Sequence, residues 1–243
     1  MTGAAGGVAR LLLDGLRPAF ELRLTDRTPG PGIVVGDLRE AGFAREVCAR
    51  AGAVVHLAAD PDPGQEWSHL RGPNADALVS VLDAAVAARV PRVVLASSLH
   101  AVGGHVDAGA AEVGEDAPVH PCCTYGALKV FAEQLGRVYA DRWGLRVVCL
   151  RLGGVREAPA ARSWLPGWLS GADLVRLVTA ALTADVRYGV YHGVSANSAR
   201  LWRCDRAQAE LGYQPRDDAA RHAALLPDDL AGAAAGARRL HLT

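Results

Sequence analysis

With 243 residues, 26 Lys and Arg against 26 Asp and Glu, and half of all positions apolar, the chain can bury one sizeable core and carries no excess charge. No basic run marks a nucleic-acid partner, and no apolar stretch approaches the ~18 residues of a membrane span. The N-terminus lacks a signal-peptide layout, so the expected location is cytoplasmic. The five cysteines (Cys48, Cys122, Cys123, Cys149, Cys204) are odd in number and lack metal-site spacing, which reads as reduced core or helix-start thiols and no bound metal.

In chain order, Thr2-Gly3-Ala4-Ala5-Gly6-Gly7-Val8-Ala9 forms a Gly-x-x-Gly-x-x-Ala turn running into a helix around Leu11–Leu16. Gly3, Gly6 and Gly7 allow a tight turn that brings backbone N–H groups, with Val8 behind them, onto a pyrophosphate. Phe20–Thr25 reads as a strand closed by Asp26, whose carboxylate would accept ribose hydroxyls and repel a 2′-phosphate, favouring NAD over NADP. Arg27 beside it is the usual sign of NADP tolerance. After the strand Gly32–Val35, Asp37 in Gly36-Asp37-Leu38 either addresses the adenine amino group or caps the helix Leu38–Arg50.

Strands follow at Ala53–Leu57, Arg92–Ala96, Arg146–Leu150 and Gly189–Gly193, separated by helices at Trp67–Arg89, Tyr125–Trp143 and Ala172–Thr183. A last helical stretch at Arg206–Leu211 precedes Gly212, a plausible C-cap, and the Ala/Gly-rich tail from Leu225 is weakly patterned. This alternation predicts an α/β fold: a Rossmann-like, doubly wound parallel sheet with helices on both faces. The whole chain, 1–243, reads as a single NAD(P)-binding domain, with 153–188 and 195–243 contributing a small C-terminal substrate lobe.

The chemistry sits in Tyr125-Gly126-Ala127-Leu128-Lys129 and, upstream, Ser97-Ser98. On a helix, positions i and i+4 share a face, so Lys129 lies beneath Tyr125 and its charge favours the phenolate. A phenolate beside a serine hydroxyl suits removing a proton from an alcohol while hydride leaves the same carbon. Alone, the Tyr-x-x-x-Lys spacing also fits a surface helix pair.

Together with His56-Leu57-Ala58-Ala59 and Asn74, these segments resemble the extended short-chain dehydrogenase/reductase superfamily, the NAD-dependent epimerase/dehydratase group. Ser97–Gly103, Glu115–Pro118, Val148–Gly153, Trp168–Leu174, Gly193–Asn197 and Leu211–Asp218 are similar to its uronate dehydrogenase branch, so the likeness covers nearly the whole chain up to about Asp218. The resemblance implies NAD, and oxidation at C1 of a hexuronate to an aldarolactone. It also implies Tyr125 as general base, Lys129 as its activator and partner of the nicotinamide ribose, and Ser98 as partner of the substrate hydroxyl. Leu38, Leu57, Ala58 and Ala59 would run along the cofactor, with Asn74 tying strand ends together. His100 would line the sugar site or serve as a loop histidine bonded to backbone. Arg162 would hold the substrate carboxylate or be a solvated loop arginine.

Three departures bear on the substrate: Leu99 stands for an asparagine, Gly154 for a serine, and Pro61 for a small polar residue, each removing a group able to bond a sugar. Met1 directly precedes Thr2, where the fold places a buried central strand. The first strand is thus expected to be missing from the chain as given; either the natural start lies upstream, or the strand, and ordered cofactor binding with it, has been lost. The resulting expectation is an NAD-dependent dehydrogenase of a small sugar, as a monomer or a homo-oligomer. The alternatives are a sugar epimerase, dehydratase or reductase of the same superfamily, and a non-catalytic NAD-binding paralogue.

Overall fold

The computed structural model describes residues 1–226. Its parallel strands are β1 (Leu24–Asp26), β2 (Ile33–Val35), β3 (Val54–His56), β4 (Arg92–Ser98), β5 (Arg146–Leu152) and, after a short parallel pair β6 (Gly154–Val155) and β7 (Trp168–Leu169), β8 (Tyr188–Gly193). The main sheet runs β2-β1, then Thr2, then β3-β4-β5-β8, because Thr2 bridges in parallel to both Thr25 and His56. Thr2 N–H donates to Val55 O at 3.0 Å, and Thr25 N–H to Met1 O at 3.0 Å. Strand order therefore reverses at Thr2, which is where ligands bind in an open parallel sheet.

Alternation along the strands builds two cores. Val55, Val94 and Val148 face α1 (Gly7–Leu16) and α7 (Gly171–Thr183), against Leu12, Leu16, Leu174 and Leu177. Their neighbours Val54, Val93 and Val147 face the other way, onto α2 (Ala41–Cys48), α4 (Ala77–Ala87) and α6 (Thr124–Trp143). Burial on both faces explains the continuous apolar runs of these strands.

The helix expected over Trp67–Arg89 is interrupted. It comprises α3 (Trp67–Arg71), a wide π-type turn at Gly72–Asp76, and α4, with Ala77 N–H bonding back to Gly72 O. Pro73 has no N–H to give the preceding turn, so the ladder widens around it. The helix expected from Leu38 begins at Ala41, with Glu40 in the cap position. Gly212 ends the Ala207–Leu211 turn at φ 74°, as a left-handed C-cap.

The loops beyond β5 are held by two buried carboxylates. Glu115 accepts from the N–H groups of His192, Arg206 and Ala207. Asp173 accepts from those of Arg216 and Asp217, each at 2.9 Å. Between β6 and β7 lies a 3-10 turn, Arg162–Gly167; a second 3-10 turn links β4 to α5 (Gly104–Asp107) through Leu99–Ala101. Among the described residues no helix is long and apolar enough to cross a membrane.

Candidate active site

A cleft of about 310 Å³ crosses the C-terminal ends of the strands at the switch point. At one end stand Gly3, Gly6, Gly7, Val8, Asp26, Asp37 and Leu38; Leu57, Ala58 and Ala59 form the middle; Ser98, Tyr125 and Lys129 close the other end. From β1 through Thr2 and β3 to β4 is three strand spacings, about 14 Å, a span suited to a dinucleotide.

The nucleotide end is built from main chain. Gly3 has φ +68°, and a Cβ there would lie 2.7 Å from Ala58 N, so only glycine lets the turn press against β3. The helix α1 starts at Gly7 with Gly6 at its cap and no side chain accepting from its first turn, leaving those N–H groups aimed into the cleft. Asp26 accepts from Ala5 N–H at 3.0 Å and Thr28 N–H at 2.9 Å, one on each oxygen, so each keeps a lone pair for a ribose hydroxyl. These features fit NAD.

Asp37 lines this end of the cleft, where an adenine would lie. It caps no helix; both oxygens take the Arg39 guanidinium at 2.5–3.0 Å, which holds the carboxyl below its usual range. Arg39 and Arg27 line the same end of the cleft. Asn74 does not line the cleft: from the π-type turn its amide accepts from Asp60 N–H at 2.7 Å and donates to Asp60 O at 2.9 Å, clamping the loop after β3.

At the other end, β4 delivers Ser98 and the first turn of α6 delivers Tyr125. Ser98 Oγ accepts from His100 N–H at 3.2 Å and lies beside the Tyr125 phenol. Burial drives the phenol well above its ordinary range, and the Ser98 hydroxyl opposes that shift. Lys129 is buried with its Nζ on Ala96 O at 2.8 Å and 5.3 Å from the Tyr125 ring centre. Desolvation pulls its pKa down to about 8, with the nearby Glu133 charge working the other way.

Beneath them lies a set of residues that sequence reasoning missed. Arg151 on β5 makes a bidentate pair with Glu133 on α6, both bonds 2.8 Å, and Ser97 donates to Glu133 at 2.6 Å. The one sequence signal was spacing: Tyr125, Lys129 and Glu133 repeat every four residues on a face that otherwise packs on the sheet.

The residues expected around the sugar are dispersed. His100 is buried behind Tyr125, ring centres 5.6 Å apart and edge-on, and its Nε2 has no hydrogen-bond partner among the described residues. Arg162 opens the Arg162–Gly167 turn with its side chain exposed, outside the cleft lining; the far end of that turn abuts Gly153 of the cleft wall. Of the three departures, only Pro61 lines the cleft. Leu99 is fully buried in the α1/α7 core, and a Cβ on Gly154 would meet the Trp164 ring at 3.0 Å. Neither position points a lost polar group at the cleft.

Comparison with known proteins agrees with this geometry. Residues 1–156 match the NAD dependent epimerase/dehydratase family. The NAD-dependent glucose-6-phosphate dehydrogenase of Haloferax volcanii is 31% identical over 245 residues, covering 90% of this chain and 93% of that one. The uronate dehydrogenase of Agrobacterium fabrum is 34% identical over 228 residues, covering 90% and 84%. A mutant uronate dehydrogenase of Agrobacterium tumefaciens, solved with NAD, superposes with a TM-score of 0.84 at 31% identity over 95% of this chain and 90% of that one. With the fold, the glycine cradle and the Ser-Tyr-Lys cluster all in place, the chain belongs to the NAD dependent epimerase/dehydratase family.

Proposed function

We propose that this NAD-dependent sugar dehydrogenase oxidises the C1 hydroxyl of a hexuronate, galacturonate or glucuronate, to an aldarolactone. The observation that carries the reading is the Ser98–Tyr125–Lys129 cluster at one end of a cleft whose other end is a dinucleotide cradle. The glycine turn and Asp26 would hold NAD, which would supply the hydride acceptor for C1. Ser98 Oγ holds the C1 hydroxyl, and Tyr125 takes its proton. Burial disfavours the phenolate; the Ser98 hydroxyl and the cation beside the ring work against that shift without cancelling it. Lys129, charged below its pKa of about 8, lowers the cost of that proton transfer. C1 loses one hydrogen as hydride and one as a proton, and a cyclic hemiacetal becomes a lactone.

The hexuronate assignment rests on the similarity to uronate dehydrogenases and on two residues of the sugar side. Arg162 supplies a carboxylate-binding guanidinium on the lobe next to Gly153, and the unpartnered His100 Nε2 supplies a hydroxyl partner behind Tyr125. Asn74 positions the loop after β3 rather than touching the cofactor. The test is NADH formation from NAD with galacturonate, glucuronate and glucose 6-phosphate. Uronate turnover that disappears in Tyr125→Phe is the expected result; turnover confined to glucose 6-phosphate would sink the hexuronate assignment and leave the dehydrogenase chemistry standing.

A further inference from the structure

The loops flanking the cluster bring together side chains that the dehydrogenase chemistry does not use. Cys122 and Cys123 immediately precede α6, and His100 follows β4. His100 Nδ1 lies 3.2 Å from Cys122 Sγ and 3.5 Å from Cys123 Sγ, and the three ligand atoms sit within 4.8 Å of one another. The backbone fixes this arrangement: Cys122 N–H donates to His100 O at 3.2 Å, and Cys123 Sγ accepts from Gly126 N–H at 3.3 Å. All five cysteines are free thiols, and these two are half-buried whereas Cys48, Cys149 and Cys204 are buried.

We propose that His100, Cys122 and Cys123 form a three-ligand site for a soft divalent cation, Zn²⁺ in the first instance. Zinc takes thiolate sulfur at ~2.3 Å and imidazole nitrogen at ~2.0–2.1 Å, which at tetrahedral angles puts ligands about 3.5–3.8 Å apart. The observed nitrogen–sulfur separations of 3.2 and 3.5 Å need adjustments of only a few tenths of an ångström, and the two sulfurs, within 4.8 Å of each other, close by at most about 1 Å. Two thiols and an imidazole, with no carboxylate among them, select zinc or cadmium over magnesium or calcium. Binding releases the thiol protons to solvent and leaves a fourth position for water. The spacing escaped the sequence reading because two ligands are adjacent and the third is 22 residues upstream, unlike a paired C-x-x-C pattern.

The consequence concerns turnover, and it rests on the proposed dehydrogenase reading. Tyr125 is two residues beyond Cys123, and the His100 ring meets it edge-on. A bound cation on Nδ1 ties the β4 end, with Ser98, to the start of α6 and keeps the ring proton on Nε2, so that atom no longer accepts from a sugar hydroxyl. Zinc therefore inhibits the enzyme.

Chelator-treated full-length protein is titrated with Cd²⁺ and Co²⁺ while thiolate-to-metal charge-transfer absorption is followed. One equivalent should produce the band, a Cys122→Ser/Cys123→Ser double variant should lose it, and Cys204→Ser should keep it. Serine at position 123 retains a helix cap, so the double variant stays folded. No band at one equivalent, or a band surviving in the double variant, overturns the site. In the paired activity assay, NADH formation should fall in step with zinc binding and return on adding chelator; a band with unchanged turnover overturns the inhibition. Failure of every sugar to turn over would tell against the dehydrogenase reading while leaving the spectral result to decide the metal site.

Discussion

The two ends of the cleft are specified by different parts of the chain. The nucleotide end is main chain: a glycine that tolerates φ +68° against Ala58, a helix start without a side-chain cap, and one strand-end carboxylate. Its residues come from short segments whose conformation is determined locally. The sugar end is side chains delivered by β4, α6 and the loop after β3. Backbone recognition therefore persists when side chains diverge, whereas each sugar contact can be lost by one substitution. Cofactor and chemistry can thus be held constant in this fold while the substrate drifts.

Tyr125→Phe challenges that division most severely. The ends are separable only if kcat falls by roughly 10²–10⁴-fold, the usual worth of a positioned acid–base group, while NAD affinity is unchanged. Stopped-flow NADH formation and calorimetric NAD binding measure the two; a matching loss of NAD affinity would show the ends to be coupled.

Arg151→Ala attacks the floor beneath Ser97 and Lys129. It leaves Glu133, fully buried, without its bidentate partner, and breaking such a pair costs about 3–5 kcal/mol. Urea denaturation should show that loss, and a double variant, Glu133→Leu with Arg151→Met, should recover much of it. A single variant within experimental error of the parent would mean the ion pair is not part of the folded floor.

A smaller effect puts one reporter on β3 and one on β8. His56, accepting or donating a bond with Thr2 Oγ1 at 2.9 Å, and His192, beside Arg203 O, are both buried, and desolvation pulls both pKa values down to about 3. Each stays neutral in the folded state while the unfolded chain takes a proton below about 6.5. Stability is therefore full above that pH and is lost as pH falls from 6.5 towards 3, by about 1.4 kcal/mol per histidine at pH 5.5. Thermal melts between pH 7.5 and about 5 should fall in the parent and fall less in His192→Gln. Equal slopes would mean that His192 takes up its proton in the folded protein.

What the sequence disclosed follows the same division. The strand–helix alternation, the glycine turn with Asp26 and the Tyr125–Lys129 pair all depend on neighbours along the chain, and the turn, Asp26, Tyr125 and Lys129 line the same cleft. Helix interruption at Pro73 was readable from Gly72-Pro73, yet the apolar periodicity on both sides concealed it. The Ser97–Glu133–Arg151 set joins β4, α6 and β5, and nothing local pairs a buried Glu with an Arg 18 residues away. Leu99 and Gly154 looked like lost sugar contacts because sequence position does not reveal which way a side chain faces; one faces the core and the other makes room for Trp164. The weakly patterned tail after Leu226, including the region Gly232–Thr243, lies outside the described residues.

The weakest effect is also the most specific to the sugar end. Arg162 is exposed, so on the proposed hexuronate reading its attraction for the substrate carboxylate is screened by water, and exposed charge pairs carry ~0.2–1 kcal/mol. Arg162→Lys keeps the charge and removes the planar fork, so KM for galacturonate should rise by roughly two- to fivefold with kcat and NAD affinity unchanged. KM for a neutral aldose should not move. Should kcat fall as well, Arg162 would be acting on the reacting carbon's position, and the sugar end would be more tightly organised than its dispersed side chains suggest. Should KM for both sugars stay constant, Arg162 would not hold the carboxylate, and Arg156, whose guanidinium lies 4.8 Å over Trp164 of the same turn, becomes the residue to substitute next.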